Sequence, residues 1–255
     1  MSQPMFSNVL RDVLYALLKH LGSYVWFPQH AELPTVKAAF YGVAHVPHVI
    51  GAIDGTHTGL VTPRSSEHVS RNRKNFNSVN VQVVCLADQY ISQVTARFPG
   101  SVHDSFMLWD SNIPHMMAPH TRDRACLIGD SGYPNLPCLL TPVRHPTTDA
   151  EDHYNEAHSH TGRVIERCFG LLKARLQYLQ ISGGALLYNP QKVCQIIVAC
   201  CMLHSLALRS HIPLLDAEEG VAVPLANEGD MGCDEGEDDE DTADSRAELI
   251  QQYFN

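Results

Sequence analysis

The apolar residues Phe6, Val9, Leu10, Val13, Leu14, Leu17, Leu18 and Leu21 recur at three- and four-residue intervals, which predicts an amphipathic helix with a wide apolar stripe. A second helix is predicted from Leu33 to Val43, where Pro34 suits a first turn. The period then changes. Val49-Ile50-Gly51-Ala52-Ile53 is a short apolar run that ends on Asp54-Gly55-Thr56, as a buried strand does where it meets a loop. Ser78 to Ala87 alternates and then runs apolar, Asp88-Gln89 reads as a turn and Tyr90 to Phe98 as a partner strand, so three antiparallel strands are expected. After Pro99-Gly100, Ser101 or Asp104 is placed to cap a short helix through Trp109. Ala125 to Gly129 repeats the buried-strand pattern and again ends on an aspartate, Asp130. A long histidine-bearing loop is expected from Ser131 to His160, then a helix with Thr161 as N-cap and Val164, Ile165, Phe169, Leu172 and Leu176 on its apolar face. Asn189-Pro190 opens a last helix, Val193 to Leu208, apolar almost all round and so central. Strands followed by helices predict an α/β layer architecture.

Charge changes the picture only when it is split by position. The 255 residues carry 18 Lys and Arg against 28 Asp and Glu, a net −10. From Asp216 onward there are 14 acidic residues and one basic residue, Arg246, which leaves 14 acidic and 17 basic before it (28 − 14 and 18 − 1). The body is therefore mildly positive and compatible with a polyanionic partner. The region 213–255, with its run Asp234 to Asp241, reads as an acidic, disordered tail, with Ala247 to Phe254 as a short terminal helix. Eight cysteines without a C-x-x-C pair make neither a disulfide framework nor a zinc knuckle, and fit a reducing compartment. No stretch is read as spanning a bilayer, a reading that takes the chain as soluble and without a membrane partner.

Asp54 and Asp130 each end a buried strand, where an open sheet presents side chains to a crevice. Glu166 lies about 100° around its helix from Ile165, so it borders the sheet-facing side. Asp104 follows the third strand. Carboxylates gathered in this way raise one another's pKa unless a cation neutralises them, and hard oxygen ligands suit Mg²⁺ or Mn²⁺. A strand-end aspartate also serves as a turn or cap residue, and a glutamate early in a helix as a dipole partner, so each acid has a structural reading beside the metal one. Arg71, Arg73 and Lys74, just before the second strand, are candidates for holding a phosphate backbone, as is Lys173, seven residues from Glu166. His57 and His103 flank the acids as supporting or proton-carrying groups. His204 reads as a buried, hydrogen-bonded imidazole, and Cys168, Cys194, Cys200 and Cys201 as small core residues.

Four local words occur in order: Ile53-Asp54-Gly55-Thr56-His57, Pro99-Gly100-Ser101-Val102-His103-Asp104-Ser105, Gly129-Asp130-Ser131-Gly132-Tyr133-Pro134 and Val164-Ile165-Glu166-Arg167-Cys168-Phe169-Gly170-Leu171-Leu172-Lys173. With Cys200-Cys201-Met202-Leu203-His204, they resemble the DDE endonuclease domain of PIF/Harbinger transposases, and the vertebrate-type Harbinger transposase-derived nuclease in particular, from about Met5 to about Arg209. The resemblance implies an α/β, RNase H-like mixed sheet, three antiparallel strands then parallel strands, flanked by helices. It implies Asp54, Asp130 and Glu166 as the catalytic triad and Asp104 as a further metal ligand, at separations of 50, 26 and 36 residues along the chain. It also implies a divalent-metal DNA endonuclease working by a two-metal mechanism, in nucleus and cytoplasm, with DNA, a Myb- or SANT-like DNA-binding protein and a second copy of the chain as partners. Residues 1–48 then correspond to the remnant of a helix-turn-helix region, 49–212 to the nuclease domain and 213–255 to the tail. Ser205 stands where the family commonly has asparagine. The competing readings are a domesticated, non-catalytic nuclear scaffold for a DNA-binding partner, and a metal-dependent phosphohydrolase acting on small esters.

Overall fold

The computed structural model of the protein describes residues 3–61, 70–180, 184–214 and 240–255. Among them, five strands form one mixed sheet: β1 (Val49–Gly59), β2 (Ser78–Cys85), β3 (Ile91–Pro99), β4 (Cys126–Ile128) and β5 (Leu139–Leu140), in the order β3-β2-β1-β4-β5. β1, β2 and β3 pair antiparallel, and β4 and β5 join β1 in parallel. This is the RNase H-like arrangement, three antiparallel strands followed by parallel ones.

Helices cover both faces. On one side, α1 (Gln3–His20), α2 (Leu33–Ala44), α5 (Asp149–Arg175) and α6 (Pro190–Arg209) enclose a core built on Ala52, Val79, Val81, Val83 and Ile128. On the other, α3 (Asp104–Asp110) and α4 (Ile113–Met117) close over Ile50, Ile53, Val84 and Leu127. α1 and α2 contribute Leu14 and Phe40 to the first core, so they pack as part of the same body. Only one side of the α1 stripe is used: Leu14 is buried while Met5, Phe6, Val9 and Val13 stay exposed. α6 is long and apolar enough by composition to cross a membrane, but about half of it is buried against the sheet and α1. Its His204 is fully buried and meets the Gln89 carbonyl oxygen at 3.2 Å, and its Ser205 hydroxyl accepts the Ile91 N–H at 3.2 Å.

Four boundaries differ from the sequence reading. β1 does not end at Asp54 but runs on to Gly59, because β2 continues to pair with it beyond the point where β4 stops. The helix bearing Glu166 begins at Asp149, not at Thr161, and the expected loop to His160 is correspondingly shorter. Thr148 is the N-cap: its side chain accepts the Glu151 N–H while the Glu151 carboxylate accepts the Thr148 N–H, a reciprocal capping box. Thr161 instead lies inside the helix with its hydroxyl donated to the Ala157 carbonyl. Neither Ser101 nor Asp104 caps α3; His103 occupies that position and Asp104 is the first helical residue.

The last difference concerns the tail. Residues 215–239, which carry most of the acidic run, lie outside the described residues. The chain end expected as tail instead forms α7 (Glu240–Tyr253), longer than the short helix read from Ala247. It is held because Ile250 is buried, Arg246 donates to the carbonyl oxygens of Thr141 and Pro142, and Phe254 meets Tyr154 edge-on at 5.6 Å. The Thr148 cap gives the first prediction. Thr148→Ala should destabilise the protein by about 1 kcal/mol, read from the shift of a urea unfolding midpoint at unchanged slope.

Candidate active site

The register of the parallel pair sets the geometry. Ala52 is opposite Ile128. Two residues further along each chain come Asp54 and Asp130, so the two acids follow matched positions on neighbouring strands. Side chains alternate across a strand: Ile53 belongs to the core beneath α3 and α4, and Asp54, opposite Val83, faces the side covered by α5 and α6. The Asp54 carboxylate accepts the Gly55 N–H at 2.6 Å. The Asp130 carboxylate accepts the Gly132 N–H at 3.0 Å, a tight turn that folds Tyr133 back under it.

Asp104 arrives from the other face. A Cβ built on Gly55 would lie 2.7 Å from Asp104 Oδ1 and 3.1 Å from Asn80 Oδ1. One built on Gly132 would lie 3.1 Å from Asp104 Oδ2 and 3.2 Å from Asp130 Oδ1. Asp104 thus lies between the two glycines and beside Asp130, and a side chain at either position would have to displace its carboxylate. Asn80 fixes the approach loop by donating to the Val102 carbonyl at 3.1 Å.

On the α3 face, beside Asp104, lies a buried polar set. Ser78, Asn80 and Gln82 of β2 are all buried, on the opposite face from Val79, Val81 and Val83. Gln82 donates to the Tyr133 hydroxyl at 3.4 Å. Burial pushes the Tyr133 phenol well above its ordinary pKa; the charges of Asp104, Asp54 and Asp130 push the same way, and the Gln82 bond opposes them. One buried hydroxyl therefore feels all three carboxylates.

His158 of α5 holds the loop that carries Asp130. Its Nε2 meets the Leu140 carbonyl oxygen at 3.2 Å. Burial lowers its pKa to about 4, against the opposing pull of the Leu140 and Gly129 carbonyls.

The other sequence-predicted residues sit as follows. Glu166 is exposed on α5, between the buried pairs Val164-Ile165 and Cys168-Phe169. Arg71, Arg73 and Lys74 are exposed on a turn whose frame is Asn72: its carboxamide oxygen accepts the N–H groups of Lys74 and Phe76, and its amide donates to Ser78 Oγ. Ser78 Oγ also meets His57 Nδ1 at 3.1 Å. Arg73 donates to His103 Nδ1 at 2.8 Å, tying the cationic turn to the residue that precedes Asp104. Lys173 lies 6.0 Å from the centre of the Phe169 ring, along α5 from Glu166. The structure therefore places Asp104 beside Asp130 and ties the cationic turn to His103, the residue before Asp104, while Asp54 faces the side of the sheet that is covered by α5, the helix bearing Glu166 and Lys173.

Residues missed from sequence are Tyr133, Asn80, Gln82, Asn72 and Ser78. The signal for three of them was the polar set in the alternation of β2. The donor set fits a hard divalent cation: carboxylates, with the buried Asn80 Oδ1 accepting no hydrogen bond from any described residue. Among the described residues, no three His, Cys, Asp or Glu side chains already stand close enough round one point to hold an ion.

The family described as DDE superfamily endonuclease matches residues 53–205. The chain is 36% identical over 208 residues to the Bos taurus protein named "Putative nuclease HARBI1", covering 81% of this chain and 60% of that protein. The Homo sapiens protein of the same name is 35% identical over the same shares. "Protein ALP1-like" of Arabidopsis thaliana is 28% identical over 218 residues, 79% of this chain and 52% of that protein. The chain thus spans about 60% of the length of the HARBI1 relatives it matches. No solved structure matches it significantly.

The His158 bonds give a pH-dependent prediction. A base whose pKa is lowered on folding contributes stability that is fully present above its unfolded value near 6.5 and lost as pH falls toward 4. Between pH 7 and pH 4 the wild type should lose about 3 kcal/mol more unfolding free energy than His158→Gln, measured by urea unfolding of both proteins at each pH.

Proposed function

The chain belongs to the DDE endonuclease superfamily, and on that premise we propose that it hydrolyses phosphodiester bonds in DNA with a divalent cation, Asp54, Asp130 and Glu166 forming the catalytic triad and Asp104 a further ligand. The observation that carries this reading is the convergence of Asp104 and Asp130 on Gly132, with Asp54 two residues past the Ala52–Ile128 pair and the buried Tyr133 hydroxyl within the field of all three. Repulsion between carboxylates so placed favours a bound cation over the empty arrangement.

In this reading Asp54, Asp104, Asp130 and Glu166 would hold Mg²⁺ or Mn²⁺. Two such cations, when bound, activate a water on one side of the phosphodiester and stabilise the leaving oxygen on the other. The chain's own contribution is positional. Arg71, Arg73 and Lys74 hold the DNA backbone, and the Arg73–His103 bond fixes their turn relative to Asp104. Tyr133 and Gln82 keep a neutral, hydrogen-bonding pair near the anions, since burial and the acids together hold the phenol protonated. We further infer that a Myb- or SANT-like protein delivers the chain to its target in the nucleus, and that it acts as a multimer.

A second reading, a non-catalytic scaffold for a DNA-binding partner, is favoured by the absence, among the described residues, of any three acids grouped round one point. The two readings part in a Mn²⁺ titration with supercoiled duplex DNA. The endonuclease predicts saturable nicking that Asp54→Asn, Asp130→Asn and Glu166→Gln each lower at least about 100-fold while the circular dichroism spectrum is unchanged. Nicking that is absent, or indifferent to all three substitutions, is the scaffold outcome.

A further inference from the structure

The carbonyl oxygen of Leu140 is a junction between the two elements that carry Asp130 and Glu166. It accepts the Gly129 N–H at 3.0 Å, one residue before Asp130, and it meets Nε2 of His158 on α5 at 3.2 Å. The Gly129 carbonyl faces the same imidazole. Burial holds the His158 pKa down at about 4, while the two carbonyls pull it up and the Arg246 charge pushes it further down. At pH 7 the ring is therefore neutral with a single N–H, which the carbonyls fix on Nε2.

The segment that follows this carbonyl is held at further points. The hydroxyl of Tyr154, one turn before His158 on α5, donates to the Thr141 carbonyl at 2.9 Å. Arg246 of α7 donates to the carbonyl oxygens of Thr141 and Pro142 and to the Thr141 hydroxyl oxygen, at 3.3 to 3.4 Å. α5 has another anchor on the far side of Glu166, where the Cys168 thiol donates to the Gln89 carbonyl at 3.4 Å. Glu166 stands between the two anchors, about 12 Å past His158 along an unbroken helix. A helix pinned at both points neither slides nor rolls over the sheet, so the placement of Glu166 relative to Asp130 is set through one carbonyl.

We propose that His158 and Arg246 are positioning residues for the cation: through the Leu140–Pro142 segment they fix the strand end bearing Asp130 against the helix bearing Glu166. The proposal rests on the reading of the four acids as a cation site and adds to it two residues that are not acids, one of them in a helix beyond the 53–205 stretch shared with the family. Neither residue touches the cation in this arrangement. Their effect is on how the carboxylates are presented, so it falls on cation affinity rather than on the rate once the site is filled.

The test is Mn²⁺ binding to the full chain at pH 7 without DNA, read from the electron paramagnetic resonance signal of free Mn²⁺. His158→Phe keeps a ring and removes the N–H; it should weaken binding about 10-fold, the low end of what losing a metal ligand's supporting partner costs. His158→Gln, whose amide N–H reaches toward the same carbonyls, should stay within about 3-fold of the wild type. Arg246→Gln acts from the sheet margin and should weaken binding more than about 3-fold, which gives the same readout if His158→Phe does not fold. Thr148→Ala, which loosens the start of the same helix away from the junction, should leave the affinity unchanged. In Mn²⁺-dependent nicking, His158→Phe should raise the Mn²⁺ concentration for half-maximal rate and leave the rate at saturation near that of the wild type. Affinity that is unchanged in the folded His158→Phe and Arg246→Gln proteins, or lowered equally by Thr148→Ala, overturns the positioning role alone, provided Asp130→Asn still abolishes binding. A wild-type chain that binds no Mn²⁺ overturns the cation reading and this proposal with it.

Discussion

The parallel pairing of β1 with β4 is the constraint on which the rest depends. Ala52 opposite Ile128 is followed two residues later by Asp54 within β1 and by Asp130 just past the end of β4. Because side chains alternate along a strand, a slip of one residue would send Asp54 to the α3 face and replace it with Gly55. The pairing is guarded from both sides: Ile128 is locked into the α5 and α6 core, and Leu127 into the core beneath α3 and α4. Packing far from any polar group thus decides where the charges stand.

The second determinant is the polar face of β2. Placing Ser78, Asn80 and Gln82 in the interior costs desolvation, which their hydrogen bonds to the Val102 carbonyl, the Tyr133 hydroxyl, Asn72 and His57 offset. These same bonds position the α3 loop, the Asp130 turn and the cationic turn relative to one sheet. The α3 start, the Asp130 turn and the cationic turn are therefore referred to a common rigid element.

Much of this was legible in the sequence. The helices at Leu33–Ala44 and Pro190–Arg209, the hairpin β2–β3 and the β4 strand were carried by strong periodicity and by Pro at first turns. The beginning of α5 was not, because its first three turns, Asp149 to His160, send only Tyr154 and His158 inward and so lack an apolar period. The capping-box pattern at Thr148 and Glu151 was present, but it preceded a polar run rather than an apolar one. Asp54, Asp104 and Asp130 were singled out as strand-end and loop acids, although Asp54 lies inside β1 and Asp104 opens α3. Tyr133, Asn80 and Gln82 were not, since an alternating strand reads as half solvated and only its neighbours reveal that both faces are covered. The exposed setting of Glu166 was equally hidden, as it depends on how α5 is rotated over the sheet.

The helix α7 lies beyond the 53–205 stretch that the family shares, yet it packs beside β5, the outermost strand, which is only two residues long. A sheet margin with its backbone groups open invites pairing with other chains. This terminal helix is anchored just past that margin, through Arg246 to Thr141 and Pro142, while the acids stand further in, on β1 and after β4, so the chain end can reshape the margin without supplying any of the acids.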